Sequence, residues 1–319
     1  MKTKLSVSEI LKKYNLIIML IIFIIISAVL SPDFFTFNNF FNLLQQASIP
    51  GIVAIGMTLV IILGGIDLSV GSVLAFSGMI TSIVVYRTGN MLGIIAGCLL
   101  GIVISALLGM ITGVLISRFH LPDFIASLAM MEIARGAALL TTGGNPVFGL
   151  NKSFHILGGG FIFDKIAISG VIWIILTVIV ALLLKYTIFG RSLFAIGGNS
   201  EAAMLSGINT KRNYAITYVI CAILAGFAGI LTASWMSTGQ PTAGTGYELD
   251  AIAASVIGGA SLSGGAGSVV GTFGGVFLLQ IITNIFNLVG LQSYYQRIAK
   301  GLIIIFAVLL NKYVSKERK

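Results

Sequence analysis

The chain has 319 residues, 57% of them hydrophobic and 9% charged. That composition cannot be hydrated as a soluble domain, so it excludes a free cytosolic enzyme and places most of the chain in lipid. The net charge of +9 is explained by basic loops at a membrane surface and calls for no nucleic-acid partner.

A helix that crosses about 30 Å of hydrocarbon needs roughly 20 mostly apolar residues, and the apolar runs predict about ten such helices. In chain order they cover 16–30, 49–63, 70–85, 91–116 and 124–140, then 166–184, 214–236, 249–257, 267–288 and 294–310. The first run follows Lys2, Lys4, Lys12 and Lys13 but lacks a small-residue cleavage site, so it reads as a retained helix rather than a signal peptide. No stretch alternates apolar and polar residues as a membrane strand would, which predicts an all-α bundle.

Basic residues set the orientation, because loops rich in Lys and Arg stay inside. With the N-terminus inside, Arg118, Lys185, Arg191, Lys211 and Arg212 fall on the cytoplasmic side with the tail lysines. Only Arg87, Lys152 and Lys165 fall outside. Glycines at four-residue spacing, Gly93-Gly97-Gly101, Gly109-Gly113 and Gly267-Gly271-Gly275, predict close helix packing.

An internal echo joins Gly64-Gly65-Ile66-Asp67-Leu68-Ser69 to Gly258-Gly259-Ala260-Ser261-Leu262-Ser263. Paired glycines that end one run just before the next predict breaks near Gly64 and Gly258, and broken helices flank translocation paths in many transporters. Gly64, Gly65, Asp67, Ser69, Gly258, Gly259 and Ser261 are therefore path candidates. Asp67 also reads as a cap for the following helix.

Membrane charges are few. Glu132 and Arg135 lie three residues apart, a spacing that puts them on one helix face and predicts an intramembrane ion pair, with a substrate contact as the alternative. Glu248 and Asp250 open the eighth span after a polar outer loop, where they complement the helix dipole or meet an external partner protein. His120 and His155 lack partners at ligand spacing, and Cys98 and Cys221 sit in apolar runs. No metal site and no cofactor are expected.

One polar stretch stands out among the loops, residues 197–207. Asn199 or Ser200 can cap a short helix with Glu201 in its first turn, Ala202 and Ala203 favour helix, and Gly207 can end it in the left-handed conformation. On the residues alone this is either an ordinary capped loop helix or a handle for another protein.

Glu201-Ala202-Ala203 followed by Gly207 resembles the Glu-Ala-Ala motif of ATP-binding-cassette (ABC) importer permeases, although the usual downstream Ile and Leu-Pro are not in register. A closer resemblance is to the ribose-type sugar permeases of the branched-chain amino acid and ribose permease family. It rests on Phe35-Thr36 with Asn39, Gly56-Met57-Thr58-Leu59-Val60-Ile61, the run from Gly64 to Ser72, and Pro122-Asp123-Phe124-Ile125. It continues through Phe189-Gly190-Arg191, residues 197–207, Ala251-Ile252-Ala253-Ala254 with Gly258-Gly259, and Lys300-Gly301.

The resemblance implies a ten-helix importer permease of a bacterial cytoplasmic membrane, with both termini inside. Residues 1–15 would be a cytoplasmic segment, 16–311 the transmembrane domain with a coupling loop at 185–213, and 312–319 a tail. It further implies a homodimer that carries a monosaccharide such as ribose, receives it from a solute-binding protein, and meets a separate ATPase through Asn199, Ser200, Glu201, Ala202, Ala203, Leu205 and Gly207. No Gly-Lys pair offers a P-loop, so no ATPase site of its own is expected. An ion-coupled secondary carrier is the alternative, disfavoured by the scarcity of membrane acids.

Overall fold

A computed structural model describes residues 7–292, 294–299, 301, 302 and 305. Helix α1 (Val7–Leu30) leads through a 3-10 turn at Pro32–Phe35 into α2 (Phe37–Leu63), followed by α3 (Val70–Thr88), α4 (Met91–Phe119) and α5 (Asp123–Leu140). Next come α6 (Lys152–Gly159), a small hairpin of β1 (Phe161–Ile162) and β2 (Ile166–Ala167), α7 (Ile168–Tyr186), α8 (Ile188–Gly198) and α9 (Ser200–Leu205). The long α10 (Thr210–Met236), the short α11 (Tyr247–Ile257) and α12 (Val269–Leu288) complete the bundle.

Among the described residues, six helices are long and apolar enough to cross a membrane: α2, α3, α4, α7, α10 and α12. The expected larger count is met only in part, for physical reasons that differ by element. α5 carries Asp123, Glu132 and Arg135 within 18 residues. α11 has 11 residues, which at about 1.5 Å per residue is too short to cross alone. The expected last span, 294–310, is described only in part, with 294–299, 301, 302 and 305 helical.

Two boundaries also differ from expectation. α7 begins at Ile168 rather than at 166 because Ile166 and Ala167 pair antiparallel with Ile162 and Phe161, a strand element the all-α reading did not include. α2 begins at Phe37 rather than at 49, capped by the Thr36 hydroxyl, which accepts the Asn39 N–H at 3.2 Å. Its first turns are rich in Asn and Gln and so look like a loop in sequence.

Those polar residues are engaged across the bundle. Asn39 and Asn284 exchange amide hydrogen bonds of 3.1 and 2.8 Å, and Gln280 donates to Gln46 at 2.8 Å. Deeper along the same helices, the hydroxyl of Thr58 lies 2.7 Å from that of Thr272 and 3.0 Å from that of Ser255 on α11. α2 is thereby joined to α12 at successive levels, and most of its length is buried at the centre of the bundle.

Most of the striped glycines pack as their spacing predicts, whereas Gly93 lies against Thr88 at the end of α3 and Gly267 precedes the start of α12. Gly97 and Gly101 of α4 lie against Thr81 and Ser77 of α3, Gly109 and Gly113 lie against Ala222 and Ala215 of α10, and Gly271 and Gly275 meet Gly258 and Ala254. Without a hydrophobic driving force between helices in lipid, such close backbone approach supplies the contact energy.

Candidate coupling and translocation site

The stretch singled out in the sequence folds as a compact capped unit. Asn199 ends α8 and starts α9, its side-chain oxygen accepting the Ala202 N–H at 2.9 Å. Gly207, at φ +83°, closes α9 while the Ile208 N–H returns to the Ala203 carbonyl at 3.1 Å. Ala203 is buried and anchors the helix, whereas Ser200, Glu201 and Ala202 are exposed. Met204 and Leu205 are 59% and 86% exposed, large apolar side chains that the bundle leaves uncovered.

Beside α9 lies a cleft of about 340 Å³ whose lining includes His120, Asp123, Ser200, Met204, Lys211 and Tyr214. It separates α9 from the end of α4 and the starts of α5 and α10.

Both echoed glycine pairs interrupt the helices. α2 stops at Leu63 with Gly64 left-handed at φ +98°, and α11 stops at Ile257 with Gly259 at φ +93°. The two breaks then converge on α8. The Gly265 N–H donates to the Ile62 carbonyl at 2.9 Å, and Gly197 packs so tightly on that same carbonyl and on the Gly265 amide that a Cβ would overlap both. Ser261, whose N–H bonds to the Ala266 carbonyl at 2.9 Å, shapes the loop that carries Gly265. Backbone to backbone, the unit bearing α9 therefore touches the ends of α2 and of the α11–α12 connection.

Asp67 and Ser69 are both buried. Asp67 is 1% exposed, and its Oδ1 accepts the Ser69 N–H at 2.9 Å and the Ser69 hydroxyl at 2.6 Å. The preceding turn is held by the hydroxyls of Ser127 and Tyr218, each donating to the Ile66 carbonyl at 3.3 Å, while Gly65 lies against Asp123 and Tyr218. Asp67 thus orders the start of α3 from inside a sealed turn.

Glu132 and Arg135 interact electrostatically but not as a close pair. No ion pair within 4 Å joins them, and the Arg135 guanidinium instead donates to the carbonyls of Pro241 and Ala243 at 2.7 and 2.9 Å. The loop that receives it was read as an outer surface loop, yet it descends along α3. Gly239 lies on Ser82 and Met79, and Gly244 lies on Gly71 and Leu74, about 16 Å lower at the helical rise. Glu248 is half-buried against Gly71, with its Oε1 accepting the Gly246 N–H at 3.2 Å.

The model of the family described as branched-chain amino acid transport system / permease component matches residues 39–308. The chain belongs to that family. Among this permease's relatives, the ribose import permease protein RbsC of Escherichia coli K12 is 43% identical over 298 residues, covering 92% of each chain. The RbsC of Bacillus subtilis strain 168 is 45% identical over 299 residues, covering 93% of this chain and 91% of its own. The L-arabinose ABC transporter permease protein AraH of Azospirillum brasilense is 37% identical over 304 residues, covering 93% and 88%. No solved structure matches the permease.

Sequence reasoning on the permease missed the descending loop, the junction of Gly197 with Ile62 and Gly265, and the hydroxyl cluster of Thr58, Ser255 and Thr272. The loop had one legible signal, the density of Gly, Thr and Pro from 237 to 246 in a chain otherwise poor in polar runs.

Proposed function

We propose that this chain is the transmembrane permease subunit of an ABC importer that moves a monosaccharide, ribose or a related pentose, into the cell. The observation that carries it is α9, a capped helix that leaves Leu205 exposed while Gly197, just before it, packs on Ile62 at the end of α2 and on Gly265 in the α11–α12 connection. Full-length likeness to ribose and arabinose permeases supports the substrate class.

In this reading the chain adopts the ten-helix arrangement in a bacterial inner membrane, with α1, α5, α11 and the last apolar run joining the six apolar helices. Both termini lie inside, as the basic loops favour. Two copies enclose the path, a solute-binding protein delivers sugar from outside, and a separate ATPase receives α9. Asn199 and Gly207 fix the helix, Ser200, Glu201 and Ala202 form its exposed shoulder, Ala203 anchors it, and Leu205 enters a groove on the ATPase.

The mechanism follows from contacts. ATP-driven closure of the ATPase displaces α9 into or out of the cleft lined by Asp123 and Lys211. Because Gly197 has no side chain to yield, the displacement passes through backbone to Ile62 and Gly265 and so to the ends of α2 and α12. Only a small shift is needed where packed elements have discrete arrangements.

Reconstitution into proteoliposomes with the ATPase and binding protein tests this. Ribose uptake should require ATP and both partners. Uptake driven by a proton or sodium gradient without ATP would instead establish the secondary-carrier reading.

A further inference from the structure

The middle of α5 presents a carboxylate, Glu132, that makes no hydrogen bond or close ion pair among the described residues and meets Arg135 only through its longer-range field. By the helical rise Glu132 lies about 13 Å from Asp123, near mid-bilayer for a helix of this length. Its side chain is exposed. A charge facing lipid there is disfavoured, and intramembrane acids face a bundle interior or a water-filled cavity. Arg135, one turn away, is held by the Pro241 and Ala243 carbonyls.

Around Glu132 the exposed face of α5 mixes apolar Ile125, Leu128 and Ile133 with small residues. On the Glu132 face, Ala129 and Gly136 are small and exposed, and a Cβ on Gly136 would meet nothing within 4 Å, so the helix does not screen the carboxylate. The opposite face, with Ser127, Met130, Ala134 and Ala138, is buried. Through Arg135 the descending loop is fastened to α5, bringing its exposed Thr242 and Thr245 to the helix that carries Glu132. Irregular backbone is tolerated at membrane depth only where protein buries it or water reaches it.

Resting on the sugar-importer reading above, we propose that Glu132 is a solute-contacting residue of the path, accepting hydroxyl hydrogen bonds from the passing sugar, with the exposed hydroxyls of Thr242 and Thr245 contributed by the loop that Arg135 fastens to the same helix. A carboxylate offers only acceptors and a sugar hydroxyl is a donor, so the pairing is chemically matched.

The test uses the complete complex in proteoliposomes. Glu132→Gln keeps the shape and removes the charge, and ATP-dependent ribose uptake should fall about tenfold, the equivalent of one charge-assisted hydrogen bond, with the complex intact. In a Cys98→Ala, Cys221→Ala background, Glu132→Cys should react with a water-soluble thiol reagent. Normal uptake by Glu132→Gln overturns the proposal. So does a cysteine labelled only by a lipid-soluble reagent, or loss of permease pairing in Glu132→Gln, which would make the residue an interface contact. Failure of the parental complex to import ribose with ATP would sink the importer reading instead, and the labelling pattern would still decide whether position 132 faces water.

Discussion

The amide of Gly265 donates to the carbonyl of Ile62 at 2.9 Å, and Gly197 fills the space directly against that bond. Three segments far apart in the chain meet there as bare backbone, and only glycine at 197 permits it.

Substituting Gly197→Ala is expected to force these segments apart. Overpacking of this kind costs about 1–3 kcal/mol. The complex should still bind ATP and the binding protein, but uptake per ATP hydrolysed should fall. Equal loss of hydrolysis and uptake would show that the contact serves assembly alone. Gly198→Ala is the control, because a Cβ there meets nothing within 4 Å.

Leu205→Asp should weaken the ATPase without harming the fold. The side chain is 86% exposed, so its loss costs the isolated bundle little. Burial of a leucine on docking contributes about 1.5–3 kcal/mol, which predicts a Kd for the ATPase raised by about tenfold or more. Titration of purified ATPase against permease in detergent measures it, and an unchanged Kd would remove Leu205 from the contact.

Asn199→Ala removes the cap that Ala202 N–H donates to, at a cost of about 0.5–2 kcal/mol to α9. Asn199→Asp keeps an acceptor and should restore most of the loss. Hydrogen exchange over 200–207 is the readout, with faster exchange expected in the alanine variant only.

Asp67→Asn should leave uptake nearly unchanged, because an amide oxygen can still accept from the Ser69 N–H and hydroxyl. Asp67→Ala strands both donors in a sealed turn and should lower the melting temperature, each buried donor left unpaired costing about 1–3 kcal/mol. Strongly reduced uptake by a stably folded Asp67→Asn would return this carboxylate to the path.

The sequence made the apolar helices legible because their runs are long and carry few charges, as in α4 and α7. It also made the breaks after Leu63 and Ile257 legible, because paired glycines punctuate helices whatever surrounds them. The start of α2 was hidden, since Asn39 and Gln46 look like loop residues until Asn284 and Gln280 are seen across from them. Glu132 and Arg135 were paired by their spacing, but Arg135 finds backbone carbonyls on a loop more than 100 residues later, at separations of 106 and 108. Local periodicity carries no information about such partners.

The amide and hydroxyl links between α2 and α12 limit how this machine can move. Asn39–Asn284, Gln46–Gln280 and Thr58–Thr272 act like rungs between antiparallel rails. Sliding one rail by a single residue would break every rung together, so the pair cannot telescope. In the importer reading, opening to one side of the bilayer and then the other is expected to tilt this ladder as a unit, with the turns flanking it taking up the change.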